Sequence, residues 1–252
     1  MIQLKTDEQI EGIRKSCHML CELLDSLEDG KIKEGMSTKD IDRYCHEWIL
    51  KRNAKPACLH YEGFPAATCI SVNDEIIHGI PKSNHIIKEG DLVSIDLCIN
   101  LKGYISDSAR TYIVGKTGAQ EEKLVKVTRE CLYKGIEAAS QSHARIMDIG
   151  AAVFKHADRN GFGVIREYCG HGVGLELHED PEVPNYVSHS LGNPRLREGM
   201  VIAIEPMITM GSRHIIDMPD GWTVVTADHK PAAHFEHTVA ITHNGLEILT
   251  QI

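Results

Sequence analysis

Two segments of the chain repeat the same order of amphipathic helix, glycine and apolar strand. Ile41 and Ile149 lie 108 positions apart in matching apolar stripes. The tripeptides 88–90 and 197–199, each a base, Glu and Gly, lie 109 positions apart ahead of apolar runs. Self-similarity at a fixed spacing indicates a duplicated structural unit. We therefore predict an α+β fold with two pseudo-symmetric helix–helix–strand lobes, approximately 1–115 and 116–252, within a single domain of residues 1–252.

Helical periodicity predicts two amphipathic helices in each lobe. The first starts at a capping box formed by Thr6 and Gln9, and the second follows Ser37 and ends near Arg52. The third carries Leu124 on its apolar face, and the fourth ends near Asn160. Each pair of helices is followed by an apolar strand, so the predicted lobes share one order of elements.

A carboxylate interrupts the apolar strand of each repeat, six positions after the glycine: Asp96 in the first and Glu205 in the second. Two further acids, Asp107 and Glu236, lie in stretches with strand-like alternation. Carboxylates are almost never fully buried unless they are paired. The four acids therefore indicate either bound cations or ordinary ion pairs, for which the candidate bases are Arg110, Arg197 and Lys88.

The first two acids are expected to meet across a hairpin. A turn centred on residues 101–102 places Asp96 directly opposite Asp107, with Cβ atoms about 5 Å apart. Like charges in this arrangement destabilise a hairpin unless they are exposed, protonated or separated by a cation.

A histidine among glycines adds a neutral ligand. His171 lies between Gly170 and Gly172, a setting that favours a tight backbone and an accessible imidazole. Oxygen-rich ligand sets with one imidazole suit divalent Mn, Fe, Co or Zn. Five ligands exceed what one tetrahedral zinc uses, so we predict two divalent metal ions. The helical H-E-x-x-H motif of many zinc proteases is absent from the sequence.

Composition and charge disfavour several classes of protein. The chain of 252 residues has 27 Lys and Arg against 36 Asp and Glu, a formal net charge of −9, which is opposite in sign to that of typical nucleic-acid-binding domains. The sequence shows neither a secretory signal nor an apolar run long enough to span a membrane. The eight cysteines form no C-x-x-C pair, so we expect reduced, buried thiols in a cytoplasmic protein without nucleic-acid or membrane partners.

The constellation resembles the pita-bread metallopeptidases, and most closely the type I methionine aminopeptidases. The resemblance implies the pita-bread fold around a curved antiparallel sheet. The order and spacing of five ligands make it specific. The matching stretches are NDEIIHGIP (73–81), SID (94–96), DSART (107–111), GHGVG (170–174), HEDP (178–181), AIEP (203–206) and FEHT (235–238).

The resemblance implies a role for each of the five ligands. Asp96 chelates one metal ion, Asp107 and Glu236 bridge both, and His171 and Glu205 complete the other. Glu205 is also the candidate proton shuttle.

Two further histidines have implied catalytic roles. His178 is expected to stabilise the tetrahedral oxyanion, and His78 to contact the substrate near the scissile amide. Six other residues match positions that line a small apolar pocket for the substrate side chain. They are Cys58, Tyr61, Phe64, Cys69, Leu177 and Trp222. Phe64 stands where Tyr is common in the family, and Leu177 where Phe is common.

The implied activity is removal of the initiator methionine from nascent proteins whose second residue is small. The expected partners are nascent polypeptide N-termini and, transiently, the ribosome, and the enzyme is expected to be a monomer. One alternative is an X-Pro dipeptidase or aminopeptidase of the same fold. The other is a peptide-binding module on this fold without catalytic activity.

Overall fold

The computed structural model describes residues 1–28 and 30–251. Within these ranges the chain combines α-helices with antiparallel strands, as predicted. No described helix is both long and apolar enough to cross a membrane. The helices are α1 (Asp7–Glu28), α2 (Thr38–Leu50), α3 (Ala119–Ala139) and α4 (Ile146–Arg159).

The strands are short apart from one long hairpin. Three short strands precede the hairpin: β1 (Lys55–Pro56), β2 (Cys69–Val72) and β3 (Glu75–Ile77). The hairpin is formed by β4 (Leu92–Leu101) and β5 (Tyr104–Ile113). The second lobe contributes β6 (Gly163–Val164), β7 (Gly170–Gly172), β8 (Glu179–Val183), β9 (Val201–Ile204), β10 (Met207–Thr209), β11 (Ile215–Asp217), β12 (Val224–Thr226), β13 (Ala232–His234), β14 (His237–Thr242) and β15 (Gly245–Ile248).

These strands form four antiparallel sheets in the described part of the chain. In the first-lobe sheet, β5 pairs with one edge of β4, and β1 and β2 share the other edge. The largest second-lobe sheet has the order β15-β14-β9-β7-β8. The other two sheets have three strands each, in the orders β13-β10-β6 and β11-β12-β3.

The helix starts follow the capping signals in the sequence. Thr6 and Gln9 exchange side-chain and backbone hydrogen bonds ahead of α1, which confirms the predicted capping box. Ser37 and Asp40 form the equivalent box at α2. That helix ends at Leu50, slightly before the predicted end.

Equivalent hydrogen bonds confirm the internal repeat. In the first lobe the Ile87 amide donates to the Met36 carbonyl at 2.8 Å, and in the second the Leu196 amide donates to the Ala144 carbonyl at 2.9 Å. In both lobes, this contact ties the chain ahead of the second helix to the segment ahead of the acid-bearing strand. The two lobes therefore share local geometry as well as sequence pattern.

Alternation along β4 separates the core from the site. Val93, Ile95, Leu97 and Ile99 pack with α1 and α2 in one buried apolar cluster. The residues between them face the other way, because successive side chains of a strand point to opposite faces. Burial of the helices against β4 therefore forces Asp96 towards the middle of the molecule.

Three hydrogen bonds to backbone carbonyls join the two lobes beside that face. The Glu236 amide donates to the Ala109 carbonyl at 2.9 Å. The Thr238 hydroxyl donates to the Asp107 carbonyl at 2.7 Å, and the Ser108 hydroxyl donates to the Glu236 carbonyl at 2.6 Å. One acid from each lobe is thus held next to the other by its backbone.

The predicted hairpin register is wrong by two residues. Cys98, rather than Asp96, is opposite Asp107, and Asp96 is opposite Ala109. The turn is shifted by one residue because Lys102 and Gly103 both adopt positive φ, with the Gly103 amide donating to the Asn100 side chain. The two acids still share one face, now as diagonal neighbours.

The other two acids lie at breaks between strands, not within strands as predicted. Glu205 follows β9 and precedes β10, and Glu236 separates β13 from β14. Pro206, which has no amide hydrogen for a ladder, follows Glu205 directly. Both acids therefore lie outside the regular strand pairing.

Candidate metal centre

One cavity of about 740 Å³ contains every residue that the sequence assigned to the site. It lies between the lobes, with the five proposed ligands at its floor. The residues shared by the prediction and the cavity lining are Asp96, Asp107, His171, Glu205, Glu236, His78, His178, Cys58, Tyr61, Phe64, Cys69, Leu177 and Trp222. The structure thus brings together all thirteen, although their individual roles remain predictions.

Two groups of possible metal donors overlap at Asp107. Donor atoms of Asp96, Cys98 and Asp107 all lie within 4.8 Å of one another, and so do those of Asp107, His171 and Glu236. A carboxylate shared between two such groups can bridge two adjacent ions.

The acids at the floor lack the cationic side chains that would explain them as ordinary ion pairs. Within residues 1–28 and 30–251, neither Lys nor Arg pairs with any of the four acids. Arg110 instead pairs with Asp25 and Glu28 on the far side of β5. The buried oxygens Asp96 Oδ1 and Glu236 Oε1 have no hydrogen-bond partner. Arrangements of this kind fit bound cations and are costly without them.

Burial and the neighbouring negative charges raise the pKa values of three of the four acids. Burial, with the neighbouring Cys58 thiol adding to it, raises the pKa of Asp96 to about 7. Burial and the charge of Asp96 raise the pKa of Asp107 well above its usual range. Burial and the charge of Asp107 do the same for the pKa of Glu236. A divalent ion between these groups reverses the effect, because it stabilises their charged forms.

Glu205 differs from the other three acids because imidazoles surround it. Burial raises its pKa, but His234, His171 and His78 outweigh burial, and the pKa lies below its usual value. The Nε2 atoms of His234 and His171 lie 3.2 Å and 3.7 Å from its carboxylate oxygens. Glu205 is therefore the acid that is most readily ionised.

His234 is a site residue that sequence reasoning missed. It is 1 % exposed, and its ring reaches Glu205 from β13. The signal that could have found it is its place two residues before Glu236 in an alternating stretch, since such residues share a face.

The ring of His171 is oriented as a metal ligand. Its Nδ1 lies 2.9 Å from the Gly172 carbonyl, which can only accept, so Nδ1 carries the hydrogen. The lone pair of Nε2 then faces Asp107 and Glu205, each 3.7 Å away. Fixing the tautomer through the second nitrogen is typical of metal-binding histidines.

The glycines around His171 are required by close strand packing. A Cβ at Gly170 would lie 2.3 Å from the Ala203 carbonyl oxygen, and one at Gly172 would lie 2.3 Å from the Asp180 oxygen. Strand β7 can therefore pack between β8 and β9 only with glycine at both positions.

The two catalytic candidates outside the ligand set, His78 and His178, also line the cavity. Burial lowers the pKa of His78, so its ring is neutral near pH 7. Desolvation and the neighbouring His171 ring lower the pKa of His178 to about 4, although part of the residue stays exposed. His178 Nδ1 lies 2.9 Å from the Tyr61 hydroxyl. Both imidazoles can thus serve as neutral hydrogen-bonding groups.

The predicted side-chain pocket has apolar and sulfur-containing walls. Phe64 packs edge-on against Trp222 with ring centroids 5.2 Å apart. Cys58, Cys69 and Leu177 are buried. Thioethers pack well against aromatic rings and sulfur, so the walls suit an unbranched apolar side chain such as that of methionine.

Comparisons with known proteins identify relatives over the whole chain. The sequence model of metallopeptidase family M24 matches residues 11–243. The methionine aminopeptidase of Treponema pallidum is 49 % identical over 251 residues, covering 100 % of this chain and 97 % of the relative. The crystal structure of methionine aminopeptidase from Thermotoga maritima is 42 % identical, with a TM-score of 0.94 and full coverage of both chains. The prolidase of Pyrococcus furiosus is 27 % identical, with a TM-score of 0.75, and this chain covers 65 % of it. These similarities confirm the predicted pita-bread fold.

Proposed function

The chain belongs to metallopeptidase family M24, and we propose that it is a metal-dependent aminopeptidase that removes N-terminal methionine when the second residue is small. The observation that carries the proposal is the convergence of five potential ligands from both lobes in one cavity with apolar, aromatic and sulfur-containing walls. The full-length similarity to methionine aminopeptidases supports the substrate.

Five side chains would hold two divalent metal ions, drawn from Co, Mn, Fe and Zn. Asp96 would bind one ion, His171 and Glu205 the other, and Asp107 and Glu236 both. When bound, such ions lower the pKa of a water molecule and polarise the scissile carbonyl. The shared position of Asp107 in both donor groups supports this assignment.

Glu205 is suited to move a proton. Its pKa lies below the usual value, so the carboxylate is ionised near neutral pH and can accept a proton during attack and pass it to the leaving amine. The Asn185 side chain donates to the Glu205 carbonyl at 3.0 Å, which holds the backbone of this residue while its side chain exchanges protons.

His178 is suited to donate a hydrogen bond to the oxyanion. In the tautomer in which the Tyr61 hydroxyl, 2.9 Å away, donates to His178 Nδ1, the ring hydrogen is on Nε2 and is free to donate to the oxyanion. Neutral donors aimed at developing negative charge stabilise the transition state. His78, between Tyr168 and Trp222, would contact the substrate near the scissile amide.

Replacing His178 with Ala is expected to lower kcat for Met-Ala-Ser by about 10²- to 10³-fold, the usual effect of losing one oxyanion donor. KM should change much less, because the donor acts mainly on the transition state. Steady-state kinetics measure both constants. The control is His243→Ala, an exposed histidine in the β14–β15 turn, which should leave both constants unchanged. A rise in KM with unchanged kcat in His178→Ala would instead make His178 a ground-state binding residue.

Peptide profiling tests the substrate class. The purified, metal-supplemented enzyme is expected to cleave Met-Ala-Ser at least ~10-fold faster than Ala-Pro peptides, because the pocket is apolar and lined by sulfur and aromatic groups. Preference for proline at the second position would support the X-Pro peptidase alternative. Failure to release any N-terminal residue would support the non-catalytic peptide-binding alternative.

The same proposal specifies partners and location. The substrate would be the N-terminus of a nascent polypeptide, met in the cytoplasm with transient contact to the ribosome, and the enzyme would act as a monomer. The net charge of −9 supports the absence of a nucleic-acid partner. Buried thiols, which the structure places at seven of the eight cysteines, fit a reducing compartment.

A further inference from the structure

A thiol lies at the floor of the metal centre, among the carboxylates. Cys98 projects from β4 on the same face as Asp96 and is the cross-strand partner of Asp107. Its Sγ atom lies 3.0 Å from Asp107 Oδ1. The side chain is 3 % exposed, so it reaches the interior of the cavity floor and not the solvent.

The position of this sulfur matches that of a ligand atom. Sγ of Cys98 and one oxygen each of Asp96 and Asp107 lie within 4.8 Å of one another, close enough for one cation to contact all three. The Asp96 oxygen Oδ1 is buried without a hydrogen-bond partner. This group shares Asp107 with the group that contains His171 and Glu236.

We propose that Cys98 supplies a sulfur ligand to the metal ion held by Asp96 and Asp107. The inference rests on the proposed dinuclear metal centre and adds a donor to it. On binding, the S–H bond breaks, a metal–sulfur bond forms, and the proton passes to solvent. Sulfur and metal keep their oxidation states, so the step requires no oxidant or reductant.

The two other thiols in the cavity are less well placed for this role. Cys58 and Cys69 are buried, and the side chain of Cys58 lies next to those of Cys69 and Cys98. Neither occurs in a group of donor atoms that could enclose one ion, among the residues that the structure describes. They lie on the pocket wall and therefore serve as matched controls for Cys98.

A sulfur donor has a consequence for metal selectivity. Thiolates favour Zn, Co and Fe over Mn and Mg, which prefer oxygen ligands. A site with only carboxylates and one imidazole would discriminate less between these ions. Cys98 therefore biases the centre towards Zn, Co and Fe. The carboxylates and the imidazole do not by themselves select among these ions and Mn.

Cobalt absorption tests direct coordination. Thiolate ligands give Co²⁺ an intense near-ultraviolet charge-transfer band that oxygen and imidazole ligands lack. Metal-free wild-type protein titrated with Co²⁺ is expected to develop this band, and Cys98→Ser and Cys98→Ala to lose it. Cys58→Ser and Cys69→Ser should retain it. Absence of the band in the wild type, or its persistence in both Cys98 variants, overturns the proposal.

Metal competition provides a second readout on the same proteins. The ratio of Zn²⁺ to Mn²⁺ affinity is expected to fall at least ~10-fold in Cys98→Ser. An unchanged ratio would contradict the selectivity claim. Cleavage of Met-Ala-Ser by a metal-loaded wild type without the sulfur band would reject this inference alone. Failure of the wild type to bind any divalent cation would reject the proposed metal centre itself.

Discussion

Substituting Asp107 with Asn is expected to reduce kcat/KM for Met-Ala-Ser by at least ~100-fold and to abolish binding of at least one metal ion. Asp107 belongs to both groups of donor atoms, so its loss weakens both halves of the centre. An amide retains the shape of the carboxylate but binds divalent cations less well, because it carries no charge. Metal analysis and steady-state kinetics on one preparation measure the two effects.

The fold is expected to survive this substitution. The pKa of Asp107 is raised in the folded protein, so the metal-free wild type loses stability as pH rises from the unfolded pKa of the carboxyl through its folded value. The Asn variant has no proton to lose there. Metal-free Asp107→Asn should therefore gain stability relative to the metal-free wild type as pH rises, measured by denaturant unfolding at several pH values.

A matched control separates the centre from general charge effects. Asp25 is an exposed aspartate that pairs with Arg110 outside the cavity. Asp25→Asn removes the same charge and should retain metal content and turnover. Full activity and full metal content in Asp107→Asn would contradict the dinuclear centre.

Metal binding by the wild type is expected to release protons at pH 6, and the share released by Asp96 should fall above about pH 7. With a pKa of about 7 in the metal-free protein, Asp96 is mostly protonated at pH 6 and must lose its proton to bind a cation. The raised pKa values of Asp107 and Glu236 add to this release. Each displaced proton lowers the apparent metal affinity about tenfold per unit fall in pH.

Metal affinity depends on pH because the metal-bound and metal-free states favour different protonation forms of the carboxylates. Bound metal requires the ionised carboxylates, whereas burial and repulsion favour their protonated forms in the metal-free state. Affinity must therefore rise with pH, and the contribution of Asp96 should level off above about pH 7.

Calorimetric titration in buffers of different ionisation enthalpy measures the number of released protons. Asp96→Asn is the appropriate comparison, and it should release fewer protons at pH 6 than the wild type. Heats that are independent of the buffer at pH 6 would show that these carboxylates are already ionised, contrary to the repulsion that the structure indicates.

Local sequence patterns were sufficient for much of the fold. The capping residues and apolar stripes located all four described helices to within a few residues. The duplication could be recognised in the sequence because a base, Glu and Gly precede the acid-bearing strand in both lobes. Both lobes also form the same local contacts there. Such signals act over a few neighbouring residues, so they can be read without the tertiary structure.

The register of the β4–β5 hairpin could not be predicted correctly from the sequence. It depended on Lys102 and Gly103 adopting positive φ, and a turn shifted by one residue preserves the alternation of both strands. The sequence pattern cannot distinguish these registers, because a shift of two in pairing leaves every side chain on the same face. Only the folded hairpin placed Cys98, in place of Asp96, opposite Asp107.

By itself, the sequence determined the two-lobed fold, the candidate ligands and their chemistry, because repeats, periodicity and residue type are local properties. Tertiary structure decided which donors share one space. It paired Arg110 with α1, and it brought His234 to Glu205 and Cys98 to Asp107. Those contacts depend on strand breaks, register and the joining of the two lobes, and each spans many residues along the chain.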